Sequence, residues 1–144
     1  MVDLLRKLLD HQAWADRRLA EAVADCPDAA NDPEIAGLLA HINMVQRFFL
    51  CTLEGREFVE ADAEPPEVIH AALRHYAERL TEGELARHVA PPFFHGATFS
   101  VADLLTQMTL HSQNHRGQCL MLLRKKGGHA PVLDYIIWLR DINT

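Results

Sequence analysis

The chain lacks any apolar run approaching the ~20 residues that a membrane-spanning helix needs, so no membrane span is expected. Its opening, Met-Val-Asp-Leu-Leu-Arg-Lys, lacks the apolar core and small-residue cleavage site of a secretory signal. Cysteine is scarce. Cys26, Cys51 and Cys119 are odd in number, widely spaced and without a Cys-x-x-Cys pair, a pattern expected of reduced thiols in a cytoplasm rather than of a disulfide framework. Positive charge is also short, with 14 Lys and Arg against 20 Asp and Glu and a net charge of −6. That balance excludes a broad nucleic-acid surface, which needs clustered cations. The one basic run, Arg124-Lys125-Lys126, falls at a helix end, where it offsets the macrodipole. No internal repeat or low-complexity segment is present.

What is there suits one globular domain over residues 1–144: 49% of the residues are hydrophobic and 24% charged. Leu4, Leu8, His11, Ala15, Leu19 and Val23 recur at helical spacing and predict a helix from about Asp3 to Ala24, ended by Pro27. Asn31-Asp32-Pro33-Glu34 reads as a helix start, and Ile35, Leu38, Leu39, Ile42, Val45, Phe49 and Leu53 carry the second helix, from about Pro33 to Leu53. Gly55 marks its exit into an acidic loop, Glu60 to Glu64. Pro65-Pro66 opens a third helix with Val68, Ile69, Leu73, Tyr76 and Leu80 as its stripe. After Gly83 the pattern breaks into a loop, with a short extended pair around Arg87–Val89 and Ala97–Phe99. Ser100, with Asp103 three residues on, starts a fourth helix reaching Lys126, whose stripe is Val101, Leu104, Met108, His111, His115, Cys119 and Leu122. A short last helix follows, from about Leu133 to Ile142. The fold class is therefore all-α: a four-helix bundle with a short C-terminal fifth helix. Either of its two longer links, second to third or third to fourth helix, has the length to cross the bundle.

His111 and His115 stand one turn apart on the fourth helix, so both imidazoles share a face. Nine histidines in 144 residues give about half such a pair by chance, so spacing alone decides little. Their position on the apolar stripe raises the significance, because a buried imidazole needs a hydrogen-bond partner or a metal. His41, beside Ile42 and Val45 on the second helix, supplies a third nitrogen. The alternative is a set of core or groove histidines bonded to neighbouring side chains. His11 is the remaining candidate for a fourth ligand or a supporting partner, the simpler reading being a core or edge histidine. Cys119 lies eight residues beyond His111, a rise of ~12 Å, too far to share one ion with it. Cys26 and Cys51 read as small apolar residues. Arg116 reads as a surface or interface ion-pair residue, and mid-helix Gly117 as a place of close approach.

Several segments together resemble the DinB/YfiT-like superfamily of metalloenzymes: His-Gln-Ala-Trp-Ala-Asp (residues 11–16), His41-Ile42, His111-x-x-x-His115-Arg116-Gly117-Gln118, and Leu133-Asp134-Tyr135 with Trp138. One departure is Asp16, where such proteins often carry Asn. The resemblance implies up-down-down-up helix order, a divalent metal (often nickel or zinc) held by His41, His111 and His115, and frequently a homodimer. It also implies chemistry on a low-molecular-weight thiol such as bacillithiol, mycothiol or glutathione, with an electrophilic small molecule as partner.

Three protein nitrogens leave coordination positions open, as in a catalytic rather than a structural metal site. A metalloprotease of the His-Glu-x-x-His kind is excluded, because Ser112 stands where the general base belongs. The leading expectation is a metal-dependent enzyme that activates a thiol for S-transfer or isomerisation. The alternatives are a metal-dependent hydrolase of a small amide or ester, and a non-enzymatic, stress-related metal-binding dimer.

Overall fold

Side-chain caps start three of the helices, those that follow Asp32, Thr81 and Ser100. The computed structural model describes residues 1–144. Helix α1, Val2–Ala24, buries Leu5, Leu9, Ala15, Leu19 and Val23 along one face. Pro27 begins a further single turn, α2 (Pro27–Ala30), rather than only ending α1. In α3, Pro33–Glu54, the Asp32 carboxylate accepts from the backbone N–H groups of Glu34 and Ile35 at 2.9 and 3.0 Å. Gly55, at φ 66°, closes α3 in the left-handed conformation that glycine adopts without steric cost. Helix α4 spans Pro66–Glu78 and buries Ile69, Leu73, Tyr76 and Ala77, whereas Val68, assigned to its stripe by periodicity, is exposed.

The segment around Gly83 forms a short helix, α5 (Glu82–Ala86), capped by Thr81. Strand β1 (His88–Val89) pairs antiparallel with β2 (Phe99–Ser100); β1 falls inside the expected first segment, whereas β2 starts two residues later than the expected second one. Helix α6, Val101–Lys125, starts at Ser100, whose hydroxyl accepts from the Asp103 N–H at 3.0 Å and donates to the Asp103 carboxylate at 2.6 Å. Helix α7, Tyr135–Ile142, begins two residues later than its sequence pattern suggests.

Long-range contacts give the helix directions. Leu5 and Leu9, near the start of α1, pack with Phe49, Leu50 and Leu53 at the end of α3 and with Leu104, Leu105 and Met108 at the start of α6. Leu19 and Val23, at the other end of α1, pack with Ile35 at the start of α3 and with Cys119 and Leu123 near the end of α6. Arg6 donates to the carbonyls of Ala77, in the last turn of α4, and Leu80, just past it, while Asp16 meets His70 near its start. So α1 and α6 point one way, α3 and α4 the other: an all-α four-helix bundle in up-down-down-up order. Since α3 and α4 are parallel, the link between them must run back along the bundle. Arg47 and Asn43 on α3 donate to the carbonyls of Glu60 and Glu64 in turn (3.1 and 2.7 Å), which traces that return path.

One expectation needs correction. By length and composition α3 does qualify as a membrane span, with 22 residues and a mean hydropathy of 1.2 over its best window. Polar residues spaced along it hide this from a search for unbroken apolar runs. In the fold its apolar side is packed: Ile35, Ile42, Phe49, Leu50 and Leu53 are buried.

Candidate metal centre

The two α6 histidines meet the α3 histidine about midway along these helices, at the half-buried edge of their contact. His41 Nε2 lies 3.1 Å from His111 Nε2, and His115 Nε2 lies 3.1 Å from the same atom. All three ligand-capable atoms fall within 4.8 Å of one another, and the group contains no carboxylate or thiol. His111 and His115 are brought together by helix geometry alone. His41 arrives only because α3 packs antiparallel to α6.

Proton counting shows how well this arrangement suits a cation. His115 Nδ1 donates to Gln118 Oε1 at 2.6 Å, since a carbonyl oxygen can only accept. A neutral His115 therefore turns the Nε2 lone pair toward His111. His111 Nε2 then faces two nitrogens with one proton at most, so it cannot make two good hydrogen bonds. A divalent cation accepts all three lone pairs at once. Nitrogens bound tetrahedrally at ~2.0–2.1 Å stand about 3.3 Å apart, close to the 3.1 Å of the two pairs that share His111 Nε2. Buried His111 Nδ1 has no partner. Burial, then the neighbouring His115 and His41, push the His111 pKa down to about 4. Burial and His115 also lower that of His41. Both imidazoles are therefore held in the neutral form that a metal requires.

Behind the histidines lies a polar network that the sequence reading missed. Asp16 on α1 accepts from Arg116 Nη1 at 2.6 Å, Gln46 Nε2 at 2.7 Å and His70 Nε2 at 3.0 Å. Gln46 Nε2 also donates to Ser112 Oγ at 3.1 Å, and Arg116 Nη2 to Gln113 Oε1 at 3.0 Å. Arg116, expected at the surface, is only 1% exposed, because its charge is answered by a carboxylate 100 residues away. Burial pushes the Asp16 pKa up, but the His70 hydrogen bond, the Arg116 charge and the Gln46 bond outweigh it and hold the carboxyl below its ordinary value. The network joins α1, α3, α4 and α6. It fixes the rotation of α6, since Ser112 and Arg116 each follow a histidine of the triad by one residue. The buried face of α6 thus runs through Thr109, Ser112 and Arg116, while His111 and His115 stand half-buried beside it.

Other candidates fall elsewhere. His11 Nε2 bonds the Leu133 carbonyl at 2.7 Å and packs against Trp14, Tyr135 and Trp138, tying the C-terminal segment to α1. Burial lowers its pKa despite that bond. Cys119 is fully buried in the core, its thiol pushed up to about 11 by burial. Cys26 and Cys51 are free thiols. Gly117 has open space where a Cβ would sit, so no close approach explains it.

Two cavities lie against the helices that carry the network and the three histidines. The larger, about 860 Å³, lies between α1, α3 and α4 over Asp16 and His70, and none of the three clustered histidines lines it. A second, about 460 Å³ and walled mainly by apolar side chains, has His111 in its lining. No sequence signal marked it, because its walls come from α3, α6 and the segment around β2. A family profile described as the DinB family matches residues 1–143. Neither the curated proteins nor the solved structures returned a match.

Proposed function

Because this chain belongs to the DinB family, we propose that His41, His111 and His115 hold one divalent cation, nickel or zinc, in an enzyme that activates a low-molecular-weight thiol. The observation that carries this reading is the meeting of three imidazole nitrogens around His111 Nε2, with no fourth protein donor among them. Three ligands leave room for a small molecule. When bound, the cation supplies a Lewis acid that lowers the pKa of a thiol and presents it as thiolate to an electrophile.

The chain's own residues do the rest. Gln118 fixes the tautomer and the ring of His115 through Nδ1. The Asp16–Arg116 pair and Gln46 hold α6 so that its two histidines stay opposite His41. Ser112, between the histidines, is fully buried and accepts from Gln46, so it offers no base to the site.

The test pairs elemental analysis of the purified chain and of His41→Ala with thiol-conjugation assays. The expected outcome is about one equivalent of nickel or zinc in the parent, loss of it in the variant, and a rate that requires both metal and thiol. A rate needing metal but no thiol would replace this reading with hydrolysis. Metal retained by His41→Ala would remove His41 from the site. The homodimer belongs to the same proposal, and solution mass at several concentrations tests it.

A further inference from the structure

The cavity beside His111 has a chemical character of its own. At about 460 Å³ it falls within the ~300–1,000 Å³ range of small-molecule sites. Val45, Phe48, Phe49, Phe94, Phe99 and Leu104 wall it. Its polar lining is Asp103, Gln107 and His111, with no Lys or Arg. The one formal charge in the lining is therefore negative.

The outer wall is held by an unfavourable backbone. Phe93 and His95 have φ of 71° and 52°, a left-handed conformation that side-chain-bearing residues seldom adopt, and Gly96 follows at 81°. Such residues persist where surrounding contacts over-determine them. Here Phe93 stacks on Phe48 with ring centroids 6.3 Å apart, and Phe94 meets Phe99 edge-on at 5.6 Å. Phe93 is nonetheless 83% exposed and Phe94 46%. Core formation does not account for a cavity-lining ring, Phe94, and its neighbour Phe93 kept with so much surface in water.

We propose that this cavity seats the electrophilic substrate of the metal centre, and that the part it takes is an aryl or branched alkyl group bearing no negative charge. The substrate role rests on the reading of the histidines as a metal site; the ligand preference rests on the cavity walls alone. Ring edges and faces of Phe48, Phe94 and Phe99 favour an aromatic guest. An anionic group on the part seated at the Asp103 end, away from the histidines, would lose hydration with no Lys or Arg in the lining to answer it.

The test is a protein-observed NMR titration of the full chain with indole and, separately, with indole-3-acetate. Indole is expected to shift resonances of Phe48, Phe99 and Leu104, and indole-3-acetate to bind at least about tenfold more weakly. Gln107→Trp, which sets a large ring at an exposed lining position, is expected to abolish indole binding. Phe94→Ala is expected to weaken it by about three- to tenfold, the worth of one aromatic pair. Both positions are exposed, and unchanged thermal unfolding verifies that the variants fold. Equal affinity for the two ligands, or indole binding unaltered in Gln107→Trp, overturns the proposal. Calorimetric zinc titration of the same samples separates the two readings. Indole binding without zinc uptake leaves the cavity and removes the metal; zinc uptake without indole binding does the reverse. A solution mass that changes in Phe94→Ala while indole fails to bind makes this face an interface between copies and likewise overturns the proposal.

Discussion

Gln118 holds His115: the imidazole Nδ1–H donates to Gln118 Oε1 at 2.6 Å, three residues along the same helix. That bond decides which nitrogen of His115 is free to face His111. Partners of this kind typically contribute 10- to 100-fold in metal affinity. Gln118→Leu is therefore expected to weaken zinc or nickel binding by about tenfold or more while leaving helix content and melting temperature of the metal-free chain unchanged. Calorimetric titration checks it; an unaltered dissociation constant would show that His115 needs no such support.

Asp16→Asn should be costly even though the shapes match. The Asp16 carboxylate neutralises a guanidinium that is almost wholly buried. Removing one partner of a buried pair costs roughly 3–5 kcal/mol, and an amide oxygen that still accepts from Arg116 places this variant at about 3 kcal/mol. Urea denaturation measures the loss. A change under ~1 kcal/mol would mean that Arg116 finds other compensation.

Acid should destabilise the metal-free chain well above the usual carboxylate range. The folded-state pKa of His111 is about 4, and those of His41 and His11 are also lowered, against ~6.5 in an unfolded chain. At pH 7 these groups are neutral in both states. As pH falls through ~6.5, the unfolded chain takes up protons that the folded one refuses, so stability falls, and the His111 contribution levels off only near pH 4. Asp16 adds a second loss: its depressed value stabilises the fold above ~3.9 and is forfeited as pH falls further through the folded value. Chemical denaturation from pH 7.5 to 3.5 follows both. A flat profile between pH 6.5 and 4.5 would contradict the burial of neutral histidines.

Two glycines, Gly117 within α6 and Gly128 just past its end, should respond in opposite directions. Gly117 is exposed within the helix with open space at its Cβ position, so Gly117→Ala is expected to stabilise by about 1 kcal/mol and leave metal affinity unchanged. At Gly128 a Cβ would collide with Leu123 Cδ1 and crowd Cys26, so Gly128→Ala should lower the melting temperature. If Gly117→Ala is as harmful as Gly128→Ala, a partner approaches Gly117 in solution.

Much of this arrangement was legible before any coordinates. The Asp32 and Ser100 caps, the Gly55 exit and most of the three- and four-residue stripes are local features, and local rules place them, although α1 turns Leu5 and Leu9 inward where periodicity points to Leu4 and Leu8. The i, i+4 spacing of His111 and His115 is equally local. The reading failed where burial depends on distant partners. Arg116 looks like a surface residue until Asp16 lies against it, and Val68 looks apolar enough for the core until α4 turns it outward. A Cβ-free position at Gly117 suggested close packing, yet nothing approaches it. His70 and Gln46 carried no signal, since a lone histidine and a lone glutamine become members of a network only through their neighbours.

The sequence by itself determined the helical class, the start of each long helix and the pairing of two imidazoles on one helix face, because hydrogen bonding and side-chain direction within a helix depend on residues a few positions apart. It also carried the family, through motifs spread over nearly the whole chain. Only the tertiary structure decided that His41 joins His111 across 70 residues, that Arg116 and Ser112 turn into the core, and that an aromatic-walled cavity opens beside the triad. Those outcomes depend on how α3 and α6 are rotated against each other, which is settled by buried apolar area and by one network centred on Asp16. No local pattern encodes a contact whose two halves are brought together only by packing.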